Sequence, residues 1–252
     1  GFVPRKGTAL DNLREELNRW FDGVLQMGDI DPPKLAANDI LSRALFPLSD
    51  DVNVAVGDYI RTAALLGARV GEMHKLLART DVEAFAPAPL DLAARDRIVR
   101  DITTAVGDVF ALLDVRAPSQ REKVQNAIAA LRAKKPTIEK RVQNLLVAPE
   151  GAVRIRIHGD LRLERVLYTG DDFVIDGFEG DRTRPLAERK SKRSPIEDVA
   201  TMLRSIHREV THILADNSAR ARAFGLQNAL RFSFPVAAKT GTSKGYSDNW
   251  TL

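Results

Sequence analysis

The chain has no cysteine among its 252 residues. Disulfides, thiol nucleophiles and cysteine-ligated metals are therefore excluded. Histidine is scarce as well: His74, His158, His207 and His212 are scattered and show no zinc-ligand spacing. No apolar run approaches the roughly 20 residues needed to span a bilayer, so no membrane partner is expected. Aromatic residues make up only 6% of the chain and do not interleave with the basic cluster from Arg182 to Arg193. A stacking platform for nucleic acid is accordingly not expected. The first residues, Gly1-Phe2-Val3-Pro4-Arg5-Lys6, lack the apolar core of a secretory leader, so the expected location is the cytoplasm. What is present, 44% hydrophobic and 29% charged residues, is the composition of an ordinary globular protein long enough to bury a core. The net charge of +4 is modest, and the basic cluster reads either as a phosphate-attracting segment or as a solvated face.

Against this plain background one stretch stands out. Val153, Ile155 and Ile157 alternate with Arg154, Arg156 and His158, the period of a half-buried strand. The run ends in His158-Gly159-Asp160, where a glycine permits a tight turn and a carboxylate follows at once. An aspartate past a strand end, near the acidic strand Phe173-Val174-Ile175-Asp176, fits a phosphoryl-transfer loop. There an Asp accepts the proton of an attacking hydroxyl, and an amide five residues on holds a metal ion. A strand ending in a polar turn fits the same spacing.

Elsewhere the periodicity is helical. Leu10, Leu13, Leu17, Trp20, Phe21, Val24 and Leu25 predict a helix from about Ala9 to Gln26. A second is predicted from Val54 to Ala78, with Ala63, Ala64, Gly67, Ala68 and Gly71 letting another element approach closely and His74 as a packed or capping residue. Gly28 to Asp51, with Pro32-Pro33 and Pro47, reads as a broken connection, and Phe85 to Pro89 as a stiff loop. Helices follow over Leu90 to Leu113 and Gln120 to Leu146, the latter capped by Ser119 and kinked or divided at Pro136. Arg165 to Tyr168 and Phe173 to Ile175 form a hairpin across Thr169-Gly170-Asp171-Asp172. Ser194-Pro195-Ile196-Glu197 starts a helix running to about Ala215.

Residues 1 to about 206 resemble the C-terminal lobe of the bacterial maltokinases, relatives of the aminoglycoside phosphotransferases with a protein-kinase-like fold. The resemblance rests on Arg156-Ile157-His158-Gly159-Asp160, on Leu163 with Val166-Leu167, and on Phe178-Glu179-Gly180. It continues through Arg184-Pro185-Leu186-Ala187-Glu188-Arg189 and Ser194-Pro195 with Asp198-Val199-Ala200 and Met202-Leu203-Arg204-Ser205. It implies a mainly α fold with a small β-hairpin, and transfer of the ATP γ-phosphate, with Mg²⁺, to the anomeric hydroxyl of maltose. Asp160 would be the catalytic base, with His158 as its companion in the catalytic loop. Glu179 and Arg162 would lie at the substrate, and Asp176 is the candidate metal ligand. Three departures weigh against activity. Where the family has a magnesium-binding Gln, this chain has Arg165, which has no lone pair to offer a cation. The family's metal-binding Asp falls on Gly177, with Asp176 one residue early and so on the opposite face of a strand. Finally, Gly1 to Pro4 resembles the segment after the interlobe hinge, so the lobe covering the nucleotide is expected to be missing or to join in trans. ATP and Mg²⁺ binding by this chain alone is thus in doubt. A non-catalytic module holding a sugar or phosphate on Arg162, Arg165 and the basic loop is the alternative.

The tail, residues 209–252, differs in character. Asp216 to Leu226 and Phe234 to Ser243 resemble part of a penicillin-binding transpeptidase, with Lys239, Thr240 and Gly241 as its Lys-Thr-Gly element. No Ser-x-x-Lys nucleophile motif occurs in the chain. The chain reads as a join of two unrelated fragments: a kinase-like C-lobe over 1–208 and a short α/β tail that neither catalyses nor integrates tightly. Residues Lys239 to Gly245 are expected to form a polar turn, and Trp250-Thr251-Leu252 a strand without its partner.

Overall fold

A computed structural model describes residues 4–27, 57–147, 151–215, 240–242 and 249–251. In chain order its elements are β1 (Gly7–Thr8), α1 (Ala9–Met27), α2 (Asp58–Leu77), β2 (Ala88–Pro89), α3 (Leu92–Arg116), α4 (Glu122–Ala133) and α5 (Lys135–Gln143). After these come β3 (Val153–Arg154), β4 (Val166–Tyr168), β5 (Phe173–Ile175), α6 (Leu186–Arg189), α7 (Ile196–Ala215), β6 (Thr240–Thr242) and β7 (Asn249–Thr251). The fold is mainly helical with small antiparallel sheets. Among the described residues, no helix is long and apolar enough to cross a membrane. The expected extended start at Phe2-Val3, the connection from Gly28 to Asp51, the helical start at Val54 to Val56 and the stretch from Asp216 to Lys239 lie outside the described residues.

Two compact units divide the chain, one from residues up to Ala78 and from Arg156 onward, the other from Arg79 to Ile155. The first holds the site. Its sheet runs β1-β4-β5, with Thr8 opposite Leu167 and Val166 opposite Ile175. Helix α1 begins in a reciprocal cap: the Thr8 backbone N–H donates to Asp11 Oδ2 at 2.8 Å, and the Asp11 N–H donates to Thr8 Oγ at 3.3 Å. The core takes Leu13 from α1, Leu66, Val70 and Met73 from α2, Val166 and Phe173 from the hairpin, and Met202 from α7. Leu161 and Leu163, 0% and 1% exposed, anchor the segment after Asp160 in that core. Arg69 on α2 ties down the hairpin turn, donating to both carboxylate oxygens of Asp172 at 2.8 and 2.9 Å.

The second unit is helical. Asp91 caps α3 by accepting from the Ala94 N–H at 2.8 Å. Arg95 Nη1 donates to the Leu146 carbonyl, and Arg132 on α4 pairs with Asp114 on α3. Its buried apolar residues on α3 are Ala94, Val99 and Phe110, on α4 Ile128 and on α5 Val142.

Several expectations need correction. The small residues Ala63, Ala64, Gly67, Ala68 and Gly71 are exposed, and nothing lies within 4 Å of a Cβ built on Gly67 or Gly71. The branched and long side chains one position away carry the packing of α2 instead. Ser119 does not cap α4: it sits in a 3₁₀ turn, Ala117–Ser119, and donates to the Arg116 carbonyl. Pro89 is part of a short strand, opposite Val153, a position proline tolerates at a sheet edge. The predicted strand from Val153 shrinks to a two-residue ladder followed by a single bridge at Ile155, and by His158 and Gly159 the backbone N–H groups donate to Asp198 instead. In the tail, Thr240–Thr242 is a strand rather than a turn, and it pairs with Asn249–Thr251, Gly241 opposite Trp250. The last strand therefore has its partner within the chain. The division expected at Pro136 is found, with α4 ending at Ala133 and α5 beginning at Lys135.

Candidate functional site

The loop His158-Gly159-Asp160 is held from beneath by one side chain. Asp198, in the first turn of α7 and 1% exposed, accepts the His158 N–H on Oδ2 at 2.9 Å and the Gly159 N–H on Oδ1 at 2.8 Å. His74 Nε2 donates to the same Oδ2 at 2.9 Å. Burial pushes the Asp198 carboxyl up, but the donations from His74, Gly159 and His158 outweigh it, and the group ends below the ordinary carboxylate range. Two successive backbone donors can meet one carboxylate because the chain turns at Gly159, whose φ of 79° favours glycine.

His158 is 1% exposed and commits both ring nitrogens. Nε2 donates to the Asp176 carbonyl at 2.8 Å, and Nδ1 accepts the Asp160 N–H at 3.2 Å. Its ring stands 5.1 Å from that of Phe178. The imidazole thus positions the loop against the strand end, and neither nitrogen is left to face a substrate.

Asp160 is placed at the head of the turn and is clamped by arginines. Arg162 reaches both of its oxygens, Nε to Oδ1 at 2.9 Å and Nη2 to Oδ2 at 3.0 Å. Arg165 Nη2 lies 3.4 Å from Oδ2. The same Arg165 extends Nη1 to Glu179 Oε1 at 3.4 Å, and Arg182 meets that oxygen at 2.9 Å. The Glu179 backbone N–H, then Arg182 and Arg165, hold the Glu179 carboxyl below its usual value against a smaller opposing effect of burial. Asp160, Arg162 and Glu179 are therefore brought together. Asp176 is not: its carboxylate is exposed and accepts its neighbour's Gly177 N–H at 2.7 Å. Thr240 and Gly241 lie in β6, and Lys239 is outside the described residues.

The residues do not fit a divalent cation. Among the described residues no group of three His, Asp or Glu side chains is placed to hold one. A Cβ built on Gly177 would fall 3.0 Å from both Cδ and Nη1 of Arg165, so the guanidinium fills the space in which a ligand at that position would start.

Asp160 also lines a small, open polar pocket of about 80 Å³ within the same unit. Carboxylates from Asp181 and Glu197 and guanidinium groups from Arg184, Arg193 and Arg204 line it. Arg193 pairs closely with Glu197, and Arg184 lies 3.6 Å from Asp181. Such a lining offers donors and acceptors side by side, the chemistry that hydroxyl groups need. The role of Asp198, its pairing with His74 and the lining acids Asp181 and Glu197 escaped the sequence reading, which offers the basic loop holding Arg184 and Arg193 as a ligand site. The available signal was Asp198 itself, an acid four residues before the buried Met202 and so on the buried stripe of its helix.

No family model matches the chain. Among solved structures it is similar to a glucosamine kinase in complex with glucosamine, ADP and inorganic phosphate, with a TM-score of 0.51 and 19% identity over 84% of this chain. A second crystal form of a glucosamine kinase superposes with a TM-score of 0.55 and 18% identity, again over 84%. The chain spans about two fifths of the length of these kinases, 39% and 40%. The likeness is one of fold: the chain is compatible with a kinase-like partial fold.

Proposed function

We propose that this chain is the acceptor-binding portion of a sugar-kinase-like phosphotransferase, silent in catalysis as the chain stands. The observation that carries the reading is the loop His158-Gly159-Asp160, pinned by the buried Asp198 so that Asp160 faces a polar pocket. The likeness to kinases that act on sugars supports it. In the reaction proposed for the family, an acceptor hydroxyl oxygen attacks the γ-phosphorus of ATP and the bond to the β-phosphate oxygen breaks. The hydroxyl proton passes to the base, here Asp160. Maltose, through its anomeric hydroxyl, is the acceptor proposed from the resemblance, with Glu179 and Arg162 at the substrate. Mg²⁺ would neutralise developing phosphate charge in such a reaction, but the side chains here do not fit it. With the base paired to Arg162 and Arg165, the chain is expected to bind sugar without phosphorylating it.

The test is a titration of the purified chain with maltose, glucosamine and ATP, followed by a search for sugar phosphate. Sugar binding without product, weakened in Glu197→Gln or Arg204→Ala, is the expected result. Magnesium-dependent maltose 1-phosphate that disappears in Asp160→Asn would overturn the silence. Absence of any sugar binding would overturn the pocket. The doubly paired Asp160 favours a second reading, a non-catalytic phosphate-binding module. That reading requires metal-independent phosphate binding lost in Arg162→Ala. A transpeptidase activity from the tail would require covalent labelling by a β-lactam, and none is expected.

A further inference from the structure

We infer that Arg165 is a resident cation that takes the place of a divalent metal at this site, excluding the metal while holding Asp160 and Glu179 together. The inference rests on the reading of the Asp160 loop as phosphotransferase-like.

The placement follows from the hairpin. Val166 lies opposite Ile175, and one step further out the Asp176 N–H donates to the Arg165 carbonyl at 2.9 Å. That extension of the ladder brings residue 165 alongside Gly177. The Arg165 side chain then runs over the bare Cα of Gly177, whose absent Cβ would meet it at 3.0 Å. From there its guanidinium spans the two carboxylates, 3.4 Å from Asp160 and 3.4 Å from Glu179, and its Nε is shut off from solvent.

Three properties of the side chain match this role. It is positive at every accessible pH, as the metal would be. It presents nitrogen donors in a plane wide enough to reach carboxylates on two different segments. It has no lone pair, so it cannot join a metal's coordination shell, and it repels one that approaches the same two oxygens. Arg165 and Gly177 are therefore one substitution in two parts: the arginine fits because position 177 carries no side chain. A metal ligand at 177 would need the arginine to leave. Arg162 and Arg182 add positive charge from outside, on Asp160 and Glu179 respectively. Arg165 is the one that joins the two acids.

Mn²⁺ alone, followed by its free electron-spin-resonance signal, is the probe. The wild-type chain and Arg165→Lys, which keeps the charge, should leave the signal of free Mn²⁺ unchanged. Arg165→Gln should bind the ion, with affinity raised by about tenfold or more, the scale on which ligand-shell changes act. Arg165→Gln with Gly177→Asp should bind it more tightly still. Near-ultraviolet circular dichroism checks that each variant is folded, and Arg165→Met serves as a second uncharged variant if Arg165→Gln is not. Mn²⁺ binding by the wild type equal to that of Arg165→Gln would overturn the inference, and so would silence of every folded uncharged variant. Sugar binding measured on the same samples separates the two readings. Sugar bound with no metal gained sinks the resident cation alone. Metal gained with no sugar bound sinks the functional reading alone.

Discussion

Replacing Asp198 with alanine removes the single acceptor for three donors. The His158 and Gly159 N–H groups sit in the floor of the loop and lose their partner outright, while His74, whose side chain is 14% exposed, can turn to water. A buried donor left unpaired costs about 1–3 kcal/mol, so the two backbone groups together cost about 2–6 kcal/mol. Relief of the desolvation of a buried carboxylate offsets part of this. A net loss of about 3 kcal/mol, at about 2–4 °C per kcal/mol for a unit of this size, lowers the melting temperature by about 6–12 °C. Asp198→Asn should lose nearly as much, because the amide can accept one N–H but turns a donor toward the other. His74→Ala should lose less than half, about 1 kcal/mol, since it removes one hydrogen bond of three. Thermal melts followed by circular dichroism, with hydrogen exchange at the His158 and Gly159 amides, measure all three. A fall of less than about 2 °C in Asp198→Ala, with both amides still protected, would show that the loop does not hang on this carboxylate.

Further outcomes can be checked on the same material. The folded-state pKa of Asp198 is lowered, so its contribution is complete above the unfolded carboxylate value and is lost as pH falls through the folded one. Acid melts should steepen below about pH 4 in the wild type and be flatter in Asp198→Asn. Asp11 and Asp172 shift in the same direction, through Thr8 and Arg69 respectively, and keep some acid sensitivity in that variant. Gly177→Ala should cost about 1–3 kcal/mol, since φ is 81° and the new Cβ meets Arg165. Part of that loss should be recovered in Arg165→Ala, giving a coupling above about 0.5 kcal/mol in chemical denaturation; strict additivity would refute the contact. Arg162→Ala should raise carbodiimide labelling of Asp160, read by peptide mass spectrometry. Unchanged labelling would mean that the Arg162 ion pair does not mask the carboxylate.

The legible part of this chain was whatever depends on local pattern. The α1 stripe of Leu10, Leu13 and Leu17, the hairpin across Thr169 to Asp172 and the start of α7 after Pro195 are all written in spacing and turn residues. The oddity of Arg165 and Gly177, by contrast, came from the family resemblance and not from spacing or turn residues. What spacing could not carry was which face of α2 packs. Small residues invite close approach but do not compel it, and the burial went to Leu66, Val70 and Met73. Nor could it carry pairing between distant segments: Asp198 is 39 positions from the Gly159 N–H it accepts, and His74 is 124 positions from Asp198.

That division has a consequence for how the site is built. The residues legible as chemistry, Asp160, Arg162 and Glu179, lie on the loop and the turn beyond the hairpin, where side chains can change without moving the backbone. The residues that were not legible, Asp198 and His74, sit on α7 and α2 and fix where that backbone goes. Substituting Arg165 and Gly177 alters the charge presented to a ligand while Asp198 keeps the loop in its turn. On the proposed reading, a metal site could be lost here while the loop keeps its shape, because the groups that hold the loop are not those that would hold the ion. On the same reading, the pocket beside Asp160 would outlast phosphoryl transfer, since apart from Ile157, Gly159 and Asp160 its lining comes from α7 and the 181–193 segment, with Arg165 outside it.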